Sequence, residues 1–207
     1  LDEIIKEANS YFNFQKNNEE LEKIINDNDS DKEMKAALES LLSEQMTGLI
    51  LDLRDNPGGL LNSAVNILDF FTEKGELLVW TEGKTQKLNR KYTSKANPIV
   101  PKDLNIAVLV NQGSASASEI ISGALQDLDR GIVIGRQTFG KGLVQTVFNI
   151  DRERSLKITT AKYYIPSGRL IQKSGYLPED IMADTSSQDT IFYTKGGRLV
   201  SGSGGIT

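Results

Sequence analysis

Hydrophobic residues recur at helical spacing from the start of the chain. Ile4, Ile5, Ala8, Tyr11 and Phe12 form one stripe, and Leu21, Ile24 and Ile25 form another. Residues 1–28 therefore read as a helical hairpin, with a turn at Asn13 to Asn18. Such amphipathic helices pack on a main domain or on a partner. After the polar break Asn26-Asp27-Asn28-Asp29, Ser30-Asp31-Lys32-Glu33 has the Ser-x-x-Glu form of a capping box. The helix it opens carries Met34, Ala37, Leu38, Leu41 and Leu42 and stops before Gly48. The period then changes. Leu49-Ile50-Leu51-Asp52-Leu53 is nearly continuous apolar sequence, as in a strand buried on both faces. Residues 61–72 return to helix, with Ala64, Val65, Leu68 and Phe71 on one side.

Glu76 to Trp80 and Thr85 to Tyr92 read as a hairpin turning at Glu82-Gly83-Lys84, and Ser94 to Pro101 as a loop. Asn105 to Val110 is a second buried strand. The helix after it places Ala117, Ile120, Ile121, Ala124 and Leu125 on one face. Gly131 to Gly135 is a third buried strand. Leu143 to Ile150 and Leu156 to Ile165 alternate around a turn at Asp151-Arg152-Glu153-Arg154. Residues 166–207 are rich in Gly and Ser with little periodicity, which fits loops over one face or a poorly ordered tail. Strand–helix–strand units with short connections predict an α/β domain, and no internal repeat is found.

Composition narrows the chemistry. The 207 residues suffice for one substantial domain with a small appendage. A net charge of −4 without a basic block gives nucleic-acid binding little support, and no such partner is expected. There is no histidine and no cysteine. This removes Ser-His-Asp, Cys-His and thiolate chemistry, together with histidine and thiolate metal sites. Any catalytic base must be a carboxylate, a lysine or a tyrosine. Cysteine-free sequence fits an extracytoplasmic compartment. No signal peptide or membrane-length apolar run is present, and a chain starting at Leu1 suggests an N-terminal segment removed or left out.

Asn111-Gln112-Gly113-Ser114-Ala115-Ser116 is a small-residue turn between the strand ending at Val110 and the helix starting near Ala117. Ser116 sits where turn becomes helix. The N–H groups there lack internal acceptors and carry the positive end of the helix dipole. Ser116-Ala117-Ser118-Glu119 also matches a capping box, so Ser116 reads either as a cap or as a nucleophile beside a ready anion site. Twenty-five positions on, Gly140-Lys141-Gly142 sets a lysine on a bendable backbone among Phe139, Leu143 and Val144. Desolvation lowers a lysine pKa, and a neutral lysine can take a serine proton. The rival is a phosphate-binding loop, since Gly135 to Lys141 fits Gly-x-x-x-x-Gly-Lys. It lacks the following Ser or Thr, and the sequence after it is strand-like. The glycine turn Arg54-Asp55-Asn56-Pro57-Gly58-Gly59 closes the first buried strand and suits a close backbone approach to a substrate.

Three segments together resemble the carboxyl-terminal processing, or tail-specific, proteases: Gly48 to Gly59, Gly113 to Asp127, and Thr138 to Gln145. The resemblance runs from about residue 34 to about residue 180. Thr194-Lys195-Gly196-Gly197-Arg198 with Gly204-Gly205-Ile206 looks like a further family segment. It implies a serine endopeptidase cutting proteins near their C-termini, with Ser116 as nucleophile, Lys141 as general base and Gln145 orienting the lysine. The oxyanion hole is expected from the backbone N–H groups of Ala117 and Gly58. The implied fold is a mixed α/β core similar to crotonase and Clp protease. No metal, nucleotide or other cofactor is implied.

The implied division is an N-terminal helical segment over 1–33, a catalytic core over 34–182 and an incomplete Gly/Ser-rich segment over 183–207. Family members usually carry a PDZ domain. Residues 1–33 are too few for one, so it is absent or omitted near 26–33. Expected partners are protein substrates engaged through their C-terminal tails, an activator or adaptor protein, and further copies of the chain. The expected location is the periplasm or cell envelope of a bacterium. The alternative is a non-catalytic ligand- or peptide-binding module on the same fold, as in retinoid-binding proteins of the eye.

Overall fold

A computed structural model describes residues 30–151, 154–173, 191–202 and 204–207. The helical hairpin expected over 1–28 and the polar break after it lie outside the described residues. The elements are α1 (Ser30–Ser43), β1 (Gly48–Asp52), α2 (Leu61–Asp69), β2 (Leu77–Gly83), a 3-10 turn (Gln86–Leu88), β3 (Arg90–Thr93) and β4 (Asn105–Val110). Then follow α3 (Ala117–Asp127), β5 (Ile132–Gly135), β6 (Leu143–Asn149), β7 (Ser155–Tyr164), β8 (Phe192–Tyr193) and β9 (Leu199–Val200). The expected mixed α/β core is observed. No helix among the described residues is long and apolar enough to cross a membrane.

β1, β4 and β5 form a parallel sheet in that order, with Leu51 opposite Val108 and Val108 opposite Val133. Strand alternation sorts its side chains to two faces. Leu49, Leu51, Ile106, Val108 and Val110 join α2 and α3 in the main core, while Ile50, Ala107 and Leu109 form a smaller cluster with Ile134. Burial on both faces explains the unbroken apolar runs. Each fully buried aliphatic side chain contributes about 1.5–3 kcal/mol.

The second sheet is antiparallel, in the order β3-β2-β7-β6. It packs over α3, which is buried along its whole length. Gly123 permits the approach: a Cβ there would lie 2.7 Å from Ile165 and 2.9 Å from Ile206. Trp80 of β2 stacks on Tyr164 of β7 with ring centroids 5.3 Å apart.

Three boundaries differ from the sequence reading. Helix α2 ends at Asp69, not residue 72, because Phe70 and Phe71 N–H switch to tight bonds with Ile67 and Leu68 carbonyls. The Asp69 carboxylate also accepts from Lys95 N–H at 2.7 Å, which fixes the turn away from the helix. Strand β2 runs through Gly83, so the hairpin turns at 84–89, not at Glu82-Gly83-Lys84. There Thr81 Oγ1 donates to Leu88 O (2.7 Å) and Gly83 N–H to Asn89 Oδ1 (2.9 Å).

Beyond residue 166, the described stretches are loops and a short antiparallel pair, β8 with β9, laid on the body. Leu170, Ile171 and Ile206 are buried. Arg169 is fully buried and pairs with Asp127 at 2.7 Å. Its Nη2 also donates to Gln126 Oε1 (2.6 Å) and its Nη1 to Ser201 O (2.8 Å). Gln126 Nε2 donates to Thr207 O at 2.6 Å. Burial pushes the Asp127 carboxyl up and the Arg169 guanidinium down, against their mutual attraction. Desolvation thus consumes much of the Coulomb gain, and the pair acts chiefly to fix which loop lies on α3.

Candidate active site

The site forms where two turns meet at the carboxyl ends of adjacent parallel strands. The turn after β1 and the turn after β4 are clamped together: Asp55 N–H donates to Asn111 Oδ1 (2.9 Å) and Asn111 Nδ2 to Asp55 Oδ1 (3.0 Å). Ser114 Oγ donates to Leu53 O at 2.6 Å, and Ala115 N–H to Asn56 O at 3.0 Å.

Ser116 stands at the head of α3 with φ 56° and ψ −115°. A left-handed backbone costs a non-glycine residue about 1–3 kcal/mol and persists only when its surroundings over-determine it. Here they do. Ser116 N–H donates to Glu119 Oε2 (2.9 Å), and Glu119 N–H donates to Ser116 O (2.9 Å). The Ser116 hydroxyl sits over that N–H, so the expected capping box is present. Gly58 (φ +82°) packs directly on this elbow: a Cβ there would lie 2.4 Å from Ala115 O and 2.5 Å from Ala117 N. Only glycine fits. Ala117, first in the helix, has no intrahelical acceptor for its N–H.

Lys141 arrives from the other side, on the loop between β5 and β6. β6 begins at Leu143, so this loop opens a strand. A phosphate loop needs a helix N-terminus there, and that reading fails. Gly140 takes φ +83°. The loop is tied down through one buried carboxylate. Glu119 Oε1 accepts from Thr138 Oγ1 (2.5 Å) and Gly140 N–H (2.6 Å). Glu119 Oε2 accepts from Lys141 N–H (2.9 Å) as well as from Ser116 N–H. One side chain, 0% exposed, thus bridges the backbones of both candidate catalytic residues. Along the sequence Glu119 reads only as a capping partner. The Ser-x-x-Glu spacing was visible, but the bonds to residues 138–141 are not encoded by any local pattern.

Other long-range contacts complete the loop. Tyr163 OH donates to Lys141 O, and also to Ser116 O at 3.3 Å. Gly142 N–H donates to Gln172 Oε1 (2.8 Å). Thr138 N–H donates to Ile206 O (3.0 Å) and Ile206 N–H to Thr138 Oγ1 (2.7 Å), so the Gly204-Gly205-Ile206 segment latches the loop.

Burial pulls the Lys141 ammonium below the ordinary lysine range, the Lys157 cation pulls it further the same way, and the Glu119 carboxylate opposes both. Burial, with Glu119 as a second cause, pushes the Tyr163 hydroxyl well above the usual tyrosine range, so it remains a donor.

The structure brings the backbones of Ser116, Ala117 and Gly58 together at the elbow and ties the Lys141 backbone to it through Glu119. Gln145 lies half-buried on β6, opposite Thr159 and just past a bulge, and among the described residues its carboxamide makes no hydrogen bond. The Gly58 N–H, expected to face a substrate oxygen, donates to Asn56 Oδ1 at 2.9 Å. Ser118 Oγ donates to the same carboxamide oxygen at 3.0 Å. Asn56 is 95% buried and its Nδ2 has no partner among the described residues. It is a second residue that sequence reading left unassigned.

Residues 11–182 match Peptidase family S41. The chain belongs to this family. It is 43% identical over 154 residues to a carboxy-terminal-processing protease of Bartonella bacilliformis, covering 72% of this chain and 35% of that protein. It is 39% identical over 164 residues to a probable CtpA-like serine protease of Staphylococcus aureus, covering 79% and 33%. Among solved structures it resembles the photosystem II D1 C-terminal processing protease, with a TM-score of 0.62 and 35% identity over 70% of this chain and 37% of that one. The chain spans about a third of the length of these relatives. Family membership does not favour the non-catalytic binding module.

Proposed function

We propose that the chain is the catalytic core of a serine endopeptidase that cleaves polypeptides near their C-termini through a Ser116–Lys141 dyad. The observation carrying this reading is the Glu119 carboxylate, whose Oε2 accepts from the N–H groups of both Ser116 and Lys141. A serine fixed at a helix start and a lysine of lowered pKa are thereby tied to one buried point.

The steps follow from the groups present. Neutral Lys141 takes the Ser116 hydroxyl proton as Oγ bonds to the scissile carbonyl carbon. The carbonyl oxygen gains negative charge and accepts from the Ala117 and Gly58 N–H groups, the latter exchanging Asn56 Oδ1 for the substrate. Collapse breaks the C–N bond, and the Lys141 ammonium hands its proton to the leaving amine. Lys141 then deprotonates a water, which attacks the ester; the proton returns to Ser116 as the acid leaves. Gln145 orients the lysine once substrate draws the two together, since catalytic hydrogen bonds often tighten only in the complex. The relatives' names support C-terminal processing. An extracytoplasmic location, an adaptor protein and self-assembly belong to the same proposal.

The test is the pH dependence of casein cleavage by the chain beside Ser116→Ala and Lys141→Ala. The base works only when neutral, so activity rises with pH through a pKa below about 10.4, the free-lysine value. Both variants lose at least about 10³-fold. Full activity in Lys141→Ala would sink the dyad.

A further inference from the structure

A buried donor beside the glycine turn has no bond of its own. Asn56 is 5% exposed, and its Nδ2 has no partner among the described residues. Its Oδ1, by contrast, accepts twice, from Gly58 N–H (2.9 Å) and from Ser118 Oγ (3.0 Å). The Ser118 hydroxyl is shared as well. It lies 3.1 Å from Asn56 O and 3.0 Å from Asn56 Oδ1, and it has one proton for the two acceptors. The backbone here is pinned: Asn56 O also accepts from Ala115 N–H (3.0 Å), and Asn56 N–H donates to Leu53 O (3.3 Å). What is left to turn is the carboxamide, about a terminal torsion that is broad and roughly two-fold.

A half-turn of that carboxamide exchanges Nδ2 for Oδ1. Nδ2 then stands in the place Oδ1 holds now, 3.0 Å from Ser118 Oγ, and donates to that oxygen. A hydroxyl can accept while it donates, so the Ser118 proton goes wholly to Asn56 O. Gly58 N–H now faces a donor instead of an acceptor and is released toward a substrate oxygen. Before the turn the unpaired atom of the amide is Nδ2; after it, Oδ1. Each arrangement leaves one buried polar atom unmatched, so the two lie close in energy. A ligand oxygen that accepts from Gly58 in only one of them decides the balance.

We propose that Asn56 is a positioning residue acting through Gly58: its carboxamide oxygen occupies the oxyanion donor in the unliganded chain, and its half-turn onto Ser118 releases that donor as negative charge forms on the substrate. This rests on the Ser–Lys reading, in which Gly58 N–H serves the oxyanion. The step exchanges hydrogen bonds only, and no proton changes its parent atom. A neutral amide suits the task. A carboxylate in its place would hold Gly58 N–H in a charge-assisted bond about twice as strong, would offer Ser118 no donor, and would repel the oxyanion. The rival is a fixed turn. An asparagine oxygen that accepts from the N–H two residues on shapes a loop, and an aspartate does the same.

The test uses a peptide boronate, which forms a tetrahedral adduct on a serine oxygen and sets a boron-bound oxygen where the oxyanion would lie. NMR of the chain labelled at asparagine and glycine follows the Asn56 side-chain amide, identified by its loss in Asn56→Asp. In the adduct that signal is expected to move downfield as Nδ2 bonds to Ser118, and to stay in place in Ser118→Ala. On casein, Asn56→Asp is expected to lose about 10²-fold in kcat with KM little changed, the scale of one oxyanion donor. Asn56→Ala, which frees Gly58 N–H outright, loses only several-fold. A fixed turn gives the opposite order. An unmoved Asn56 amide in the adduct, the same movement in Ser118→Ala, or near-normal kcat in Asn56→Asp overturns the role of Asn56; an adduct that is lost in Ser116→Ala leaves the serine reading standing in each case. A chain that forms no adduct and cleaves no casein overturns both.

Discussion

The two halves of the site are built differently. The serine half is local: a strand, a six-residue turn and a helix place Ser116, and every residue from Ala117 to Asp127 is buried around it. The lysine half is assembled from afar. Lys141 is located by Glu119, Tyr163, Gln172 and Ile206, which lie on α3, β7 and the stretches after β7 and β9. Its loop has no regular structure of its own, and Lys141 remains half-exposed. The proposed nucleophile is therefore set by rigid packing, whereas the proposed base depends on how well several separate segments are held. Damage to the first half should remove function outright; damage to the second should weaken it in steps.

With both candidate catalytic side chains left in place, Gly58→Ala is the strongest break, because it strikes the serine half through backbone. A Cβ at Gly58 would lie 2.4 Å from Ala115 O on a φ of +82°, so the turn must withdraw from the elbow. The expected loss in kcat is about 10²–10³-fold, the cost of one oxyanion donor. Activity measured on a folded Gly58→Ala protein checks it, and near-normal kcat would mean the turn does not serve the reaction.

Glu119→Gln probes the joint between the halves. The amide keeps the shape, but its NH₂ must face N–H groups that now point at oxygen. One buried donor left unmatched costs about 1–3 kcal/mol. A shift of an ångström between reacting groups is worth about 10²-fold in rate, so kcat should fall by that order with KM little changed. Removing the anion also lowers the Lys141 pKa, since Glu119 raises it. The acid limb of the profile should therefore move to lower pH while the maximum falls. A limb moving upward would contradict the electrostatic account.

Ile206→Ala tests the latch on the lysine loop. Ile206 is fully buried and its backbone is bonded to Thr138. The expected cost is about 2–5 kcal/mol in thermal or denaturant unfolding, with kcat at 25 °C reduced only several-fold. Equal losses in Ile206→Ala and Gly58→Ala would erase the contrast between the halves.

Much of this was readable along the chain. Ser116 stood out because a buried strand, small residues and an amphipathic helix are each local signals, and their junction is a single position. Gly58 stood out because paired glycines after a strand imply an unusual backbone. Lys141 was found between two glycines, but its loop looked as much like a phosphate cradle until β6 proved to be a strand. Asn56 gave no signal, since an asparagine before proline reads as an ordinary turn residue.

By itself the sequence determined the buried strands, the helix faces and the chemistry left open once histidine and cysteine are absent. These depend on periodicity and composition, which are properties of neighbours in sequence. Only the tertiary structure decided that one glutamate would serve two backbones and that Arg169 and Thr207 would be bonded to the end of α3. Those outcomes depend on hydrogen bonds between residues from about 20 to 80 positions apart. Hydrogen bonds are short-ranged and directional, so no pattern along the chain announces them until packing has brought donor and acceptor together.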